Sequence, residues 1–208
     1  MDDFAQRRRQ VRQYLSIVLS IERSTPLGKS SRFKEARLMT VRAGTFLLLY
    51  NLIEATLRGA IGEIRDEISA IPFGTLSADL RKEIVRLFRS PGVVDPHLMQ
   101  DVSAEFVPFA FTVGVKMSGS VDARSIREFG KTYGFSCNTD NSKTAGGIDL
   151  LTIKDNRNDL AHGLKTFEEV GRDYPAQDLV EIVRRSTHYM AEISSNVEQF
   201  LDAKAYVA

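Results

Sequence analysis

The chain is predicted to be all-α, an antiparallel helical bundle carrying an irregular insertion at about 91–121 in a single domain over residues 1–208. Three observations lead there. Apolar residues recur at steps of three and four through three long segments. Polar stretches containing Pro and Gly separate those segments. Residues suited to starting or stopping helices stand at several of the joins: Ser77, Asp122, Gly134 and Gly163.

Residues 3–23 form the first helix, with Val11, Leu15, Val18 and Glu22 at helical spacing. Arg7, Arg8, Arg9 and Arg12 make its first turns basic. The connection "STPLGKSSRF" (24–33) leads into a long helix over roughly 35–70, marked by Phe46, Leu49, Ile53, Leu57, Ile61, Ile64 and Ile68. Around 46–53 that helix is apolar on every side, as expected of a central element. Pro72 and Gly74 end it, and a shorter helix follows over 77–90 with Ser77 as N-cap.

The insertion holds Pro91, Pro96, Pro108 and three glycines. Within it "FAFTVGVKM" reads equally as a strand, an extended loop or a buried connector. Order returns with a helix over 121–134, between Asp122 as N-cap and Gly134 as stop signal, and a loop over 136–147. A helix over 148–162 is closed by Gly163, a residue suited to the left-handed conformation that ends helices. Thr166 and Glu169 stand at capping-box spacing. The last helix, about 175–204, is amphipathic through Leu179, Ile182, Val183, Met190, Ile193, Val197 and Phe200.

Composition narrows the function. A net charge of +1 advertises no global affinity for nucleic acid, so an anionic partner must be met by a local patch. The basic residues are 19 Arg against 9 Lys. That excess suits a phosphate-handling surface, because the guanidinium fork matches phosphate oxygens; codon bias in a GC-rich genome accounts for it equally well. The single cysteine, Cys137, cannot form an internal disulfide, which points to a reducing cytoplasm and to a small core or loop role. The start "MDDFAQRRRQ" lacks the apolar region of a signal peptide. The apolar run "FLLLYNLI" (46–53) is interrupted by Asn51 and is too short to span a bilayer, so no membrane partner is expected.

The chemistry concentrates in "KDNRNDLAHG". On a helical wheel Leu150, Ile153, Arg157, Leu160 and Leu164 share one stripe, which turns Arg157 toward the core or an interface. A guanidinium there is costly unless paired. Asn158 and His162, four apart, share the adjoining face. Arg157 and His162 are separated by about 7.5 Å of rise and roughly 140° of rotation. They would border a wide cleft, or meet the same residues of a second copy across a two-fold axis. Glu54, set in the most apolar part of the long helix, pairs either with Arg58 one turn on or with Arg157 from the neighbouring helix. Asn51 would join the second network. Histidine titrates near neutrality and serves as general acid or base, while arginine holds two phosphate oxygens at once. His97 and His188 lack such company. No His, Cys, Asp and Glu cluster has metal-ligand spacing, so neither a metal nor another cofactor is expected.

The stretch "RNDLAHG", together with "LLYNLIEATLRGAI" and "NDLAHGLKTFEEVGRDY", resembles the HEPN superfamily (higher eukaryotes and prokaryotes nucleotide-binding domain). Its signature is an Arg, four residues and a His near the end of a late helix in an all-α bundle. The pattern looks closest to stand-alone bacterial members of toxin–antitoxin and phage-defence loci. The resemblance implies a metal-independent endoribonuclease acting on RNA as a homodimer with a composite cleft, and an antitoxin protein as a further partner. It also implies an alternative, because some members are inactive modules that bind RNA, nucleotide or protein. The family's Arg falls on Arg157, its polar follower on Asn158 and its His on His162. One subfamily adds a Tyr two residues after the His; Leu164 stands there, so behaviour that depends on that Tyr is not implied.

Overall fold

A computed structural model describes residues 2–26, 28, 30–88 and 120–208. The insertion expected at 91–121 lies outside the described residues except for its last two positions, and so does His97. The fold is all-α. In chain order the helices are α1 (Asp2–Arg23), α2 (Arg32–Ser69), α3 (Ala78–Phe88), α4 (Ala123–Tyr133), α5 (Asn141–Thr144), α6 (Ile148–Ala161), α7 (Phe167–Asp173) and α8 (Ala176–Asp202). Single 3₁₀ turns lie at Phe73–Thr75 and Ala145–Gly147. Among the described residues no helix is long and apolar enough to cross a membrane.

The chain divides into two compact units. The first comprises 1–56, 121–123 and 139–191. Here α1 buries the face marked by Val11, Leu15 and Val18, and the first part of α2 buries Phe46, Leu49 and Ile53. Glu22 closes the inner face of α1. Its carboxylate lies 3.0 Å from the guanidinium of Arg42 on α2, a side chain only 3 % exposed. The same Glu22 oxygen accepts from the Ala176 N–H at the start of α8, at 3.2 Å. One carboxylate therefore neutralises a buried cation and caps a helix, joining α1, α2 and α8. Gly171 allows α7 to approach α2 so closely that an added Cβ would fall 1.9 Å from the Met39 carbonyl oxygen.

Residues 136–147 are more ordered than the expected loop. Asp140 accepts from the Ser142 N–H at 3.0 Å and starts α5, while the Thr144 hydroxyl accepts from the Gly146 N–H. Gly146 and Gly147 then take positive φ, of 63° and 78°. The short polar side chains bond the backbone locally, so the segment turns without an apolar face to mark it.

The second unit comprises 57–120, 124–138 and 192–208. The rest of α2 buries Leu57, Ile61, Ile64 and Ile68, the residues whose spacing predicts it. Arg65 donates to the Tyr133 hydroxyl at 3.0 Å. The Ser77 hydroxyl accepts from the Leu80 N–H at 3.4 Å, as its N-cap assignment requires. The chain end pairs back through Ser77 N–H to Tyr206 O and Ala208 N–H to Thr75 O, both at 2.9 Å. Gly134, at φ 93°, stops α4. Cys137 is half-buried, and its thiol donates to the Ile126 carbonyl at 3.5 Å. Burial raises the thiol pKa.

Candidate functional site

The site lies in the first unit and depends on how α6 is held. Gly147 precedes the helix, and a Cβ there would sit 2.7 Å from the Tyr189 ring. Leu150, Ile153 and Leu160 face inward. Two ion pairs fix the rotation of the helix about its axis. Asp149 takes a two-point contact from Arg185, at 2.6 and 2.9 Å. Lys154 reaches Asp122 at 2.7 Å. The buried amide of Asn156 donates to the Thr152 carbonyl at 2.9 Å and to the Tyr174 hydroxyl at 3.0 Å. Tyr174 packs edge-on against Phe46, with ring centroids 4.7 Å apart. A helix tied at this many points cannot rotate freely, so each of its remaining polar residues keeps its place on the helix surface.

Arg157 is one of them. It sits half-buried on the leucine side, as the wheel predicts. Its Cζ lies 4.5 Å from the centroid of the Tyr50 ring, and its Nη1 donates to Asn158 Oδ1 at 3.0 Å. Tyr50 is 3 % exposed, and its hydroxyl oxygen accepts from the Val121 N–H at 3.1 Å. An aromatic face stabilises a guanidinium without cancelling its charge. Among the described residues no carboxylate forms an ion pair with Arg157, which leaves a fixed cation able to receive an anion.

The sequence leaves Glu54 two partners, Arg58 and Arg157. Glu54, half-buried on α2, does not pair with Arg157; Tyr50, one turn earlier on the same helix, occupies the place facing it. Asn51 is exposed, and its Oδ1 accepts from Arg7 Nη1 on α1. Arg7 is held in turn by Asp3, at 2.8 Å. The polar group beside Tyr50 thus anchors α1 rather than the motif arginine.

His162 follows the last residue of α6. The Leu164 N–H donates to Asp159 O at 2.8 Å and the Gly163 N–H to Leu160 O at 3.3 Å, with Gly163 at φ 68°. This is a Schellman cap, and it places His162 at the C-cap with its own N–H on Asn158 O. A 2.8 Å ion pair between Lys165 and Asp159 closes the turn. The imidazole is exposed and has no hydrogen-bond partner among the described residues. Because the helix has ended, the apolar stripe stops at Leu160, and Leu164 is 73 % exposed instead of inward.

Asn158 and His162 do share a face, and that face carries more. Ile148, Leu151, Asp155, Asn158 and His162 follow one another at steps of three and four along the outer side of α6. Ile148 is 67 % exposed and Leu151 48 %. Among the described residues, no three His, Cys, Asp or Glu side chains are grouped to hold a metal ion. His188 is half-buried on α8.

Tyr50 is the neighbour of Arg157 that sequence patterning does not single out. Tyr50 is hidden inside an apolar run, and its one signal is a hydroxyl-bearing ring beside Asn51.

No curated protein and no solved structure matches the chain. A family model described as MAE_28990-like HEPN matches residues 1–206. With that span and an all-α fold bearing the Arg157–His162 motif at the end of α6, the chain belongs to the HEPN superfamily.

Proposed function

We propose that the protein is a metal-independent endoribonuclease in which Arg157, Asn158 and His162 act on the RNA backbone. The observation that carries this reading is Arg157 itself: a guanidinium fixed between the Tyr50 ring and Asn158, without a carboxylate partner among the described residues, five residues before an exposed imidazole. In the proposed reaction the 2′-hydroxyl loses its proton to an imidazole and its oxygen attacks the adjacent phosphorus. The new O2′–P bond forms as the P–O5′ bond breaks. The leaving 5′-oxygen takes a proton, giving a 2′,3′-cyclic phosphate and a 5′-hydroxyl. Arg157 would neutralise the charge that builds on the equatorial phosphate oxygens, and Asn158 would hold the guanidinium in line.

Two protonic roles call for two groups, and one chain supplies one His162. A homodimer related by a two-fold axis supplies the second. The exposed Ile148 and Leu151, on the same helical face as His162, support that assembly, since exposed apolar side chains in a row mark contact surfaces. The resemblance to stand-alone bacterial HEPN toxins supports a role as a toxin or phage-defence effector, with an antitoxin protein as partner.

The test is purified wild type beside His162→Ala and Arg157→Ala on several RNAs and their 2′-deoxy analogues. Cleavage of RNA alone, with cyclic-phosphate ends and a loss of about 10²-fold or more in each variant, is expected. Binding without cleavage by the wild type would identify an inactive RNA-binding module instead.

A further inference from the structure

The basic turns of α1 contain a side chain that finds no partner among the described residues. Phe4, Arg8, Val11, Leu15 and Val18 follow at steps of four and three, so Arg8 occupies a place in the inward stripe of α1 where an apolar residue would fit. Arg8 is half-buried, and its Nε is shielded from solvent with no hydrogen-bond partner among the described residues. Among the described residues it makes no ion pair. The charged group that acts on it is another cation, Arg12, one turn further on and exposed. Burial first and Arg12 second hold the guanidinium below the usual arginine value. A buried donor left unmet costs about 1–3 kcal/mol, so the contacts of α1 among the described residues do not favour arginine at this position.

The surroundings connect it to the site. Arg7, the preceding residue, bonds Asn51, and Asn51 follows the Tyr50 that carries Arg157. The first turns of α1 therefore stand beside the turn of α2 on which the motif arginine rests. Anchoring by Asp3 and Asn51 occupies Arg7 and leaves Arg8 and Arg12 for another ligand. With its Nε shielded, Arg8 can offer a ligand only its terminal nitrogens, and beside the second cation Arg12 these suit a group with several negative oxygens, such as a phosphodiester.

We propose that Arg8 and Arg12 form a phosphate subsite that holds the backbone of the RNA strand away from the phosphate being cleaved. The subsite rests on the RNA reading given above and adds the positioning of the strand to it. Contacts of this kind fix register without reading sequence.

The test uses the full chain carrying His162→Ala, so that bound RNA stays intact, and a short fluorescein-labelled single-stranded RNA. Anisotropy titrations between about 50 and 200 mM KCl give affinity and salt slope, since each phosphate contact on a single strand contributes about 0.7 to that slope. Arg8→Met is expected to lower the slope by about 0.7 and to weaken binding of unrelated sequences alike. Its melting temperature should hold or rise, because methionine suits the stripe. Arg8→Lys should restore most of the slope. Unchanged affinity and slope in Arg8→Met, or loss of folding in both variants, overturns the subsite. Failure of the wild type to bind RNA overturns it too. In the His162 background restored to histidine, cleavage that proceeds equally in Arg8→Met would remove the subsite and leave the nuclease reading standing. A wild type that never cleaves, yet loses salt slope on Arg8→Met, would remove the nuclease reading and keep the subsite.

Discussion

Arg157 rests on the face of Tyr50, 4.5 Å from guanidinium carbon to ring centroid, and the ring is itself tied down by the Val121 N–H at 3.1 Å. The two contacts separate what the ring does from what its hydroxyl does. Tyr50→Phe keeps the aromatic face and leaves the Val121 N–H unmet, costing about 1 kcal/mol of stability with cleavage largely retained. Tyr50→Leu removes the face. A cation–π contact of this burial is worth roughly 1–2 kcal/mol, so cleavage should fall by about tenfold beyond any change in the folded fraction. Equal cleavage by the Phe and Leu variants, measured on fully folded protein, would show that the ring does not position Arg157.

Glu22 is a second place where one side chain serves two partners. It lies 3.0 Å from the Arg42 guanidinium and 3.2 Å from the Ala176 N–H. Glu22→Ala strands a cation that is almost fully buried, and removing one partner of such a pair costs about 3–5 kcal/mol. Replacing both partners together, as Glu22→Ala with Arg42→Met, should recover much of that loss, because no charge is then left inside. Urea denaturation of the two single variants and the double variant measures the difference. A double variant no more stable than Glu22→Ala would mean that the damage comes from the uncapped start of α8.

The helices are legible where burial has a period, and the candidate site only where charge breaks that period. Phe46 through Ile68 predict α2 because one face of it must be apolar, and Arg157 stood out because it is a cation in such a face. What supports Arg157 was not legible. Periodicity says that a charge in an apolar stripe needs stabilising, but it cannot say whether a carboxylate or an aromatic ring does so. The sequence offers Glu54 either Arg58 or Arg157 as partner, while the packing sets Tyr50, one turn away on the same helix, against Arg157. The segment 136–147 failed for a related reason: its order comes from Asp140, Thr144 and glycines bonding or bending the backbone, and none of these leaves an apolar pattern. The wheel turns Leu164 inward because it assumes that the helix continues, whereas Gly163 ends it.

Asp140 gives a prediction with a definite sign. The Ser142 side chain, then Lys143 and the Ser142 N–H, hold its carboxyl at about 2, below the ordinary 3.8. A folded-state value lower than the unfolded one means that the carboxylate favours the folded state. Its contribution is fully present above 3.8 and disappears as pH falls through about 2. Carboxyl NMR should place the midpoint near 2, and Ser142→Ala should move it upward. A midpoint at 3.8 in the wild type would mean that the Asp140 turn is not formed in solution.

Gly163 links the helix end to the proposed chemistry. Its φ of 68° closes the Schellman cap, and nothing lies within 4 Å of where a Cβ would be. Substitution there therefore meets a conformational cost and no steric clash. Alanine should lose about 1 kcal/mol, asparagine less because it tolerates the left-handed region, and valine more because its branched side chain does not. The same order should appear in RNA cleavage measured on folded protein. A residue that cannot hold the left-handed conformation unwinds the turn that fixes the His162 backbone, whereas asparagine keeps the imidazole in place. Thermal melts and cleavage rates of Gly163→Asn, Gly163→Ala and Gly163→Val check both series. If stability falls in that order while cleavage stays constant, the cap is structural only, and the position of His162 does not depend on the turn that follows it.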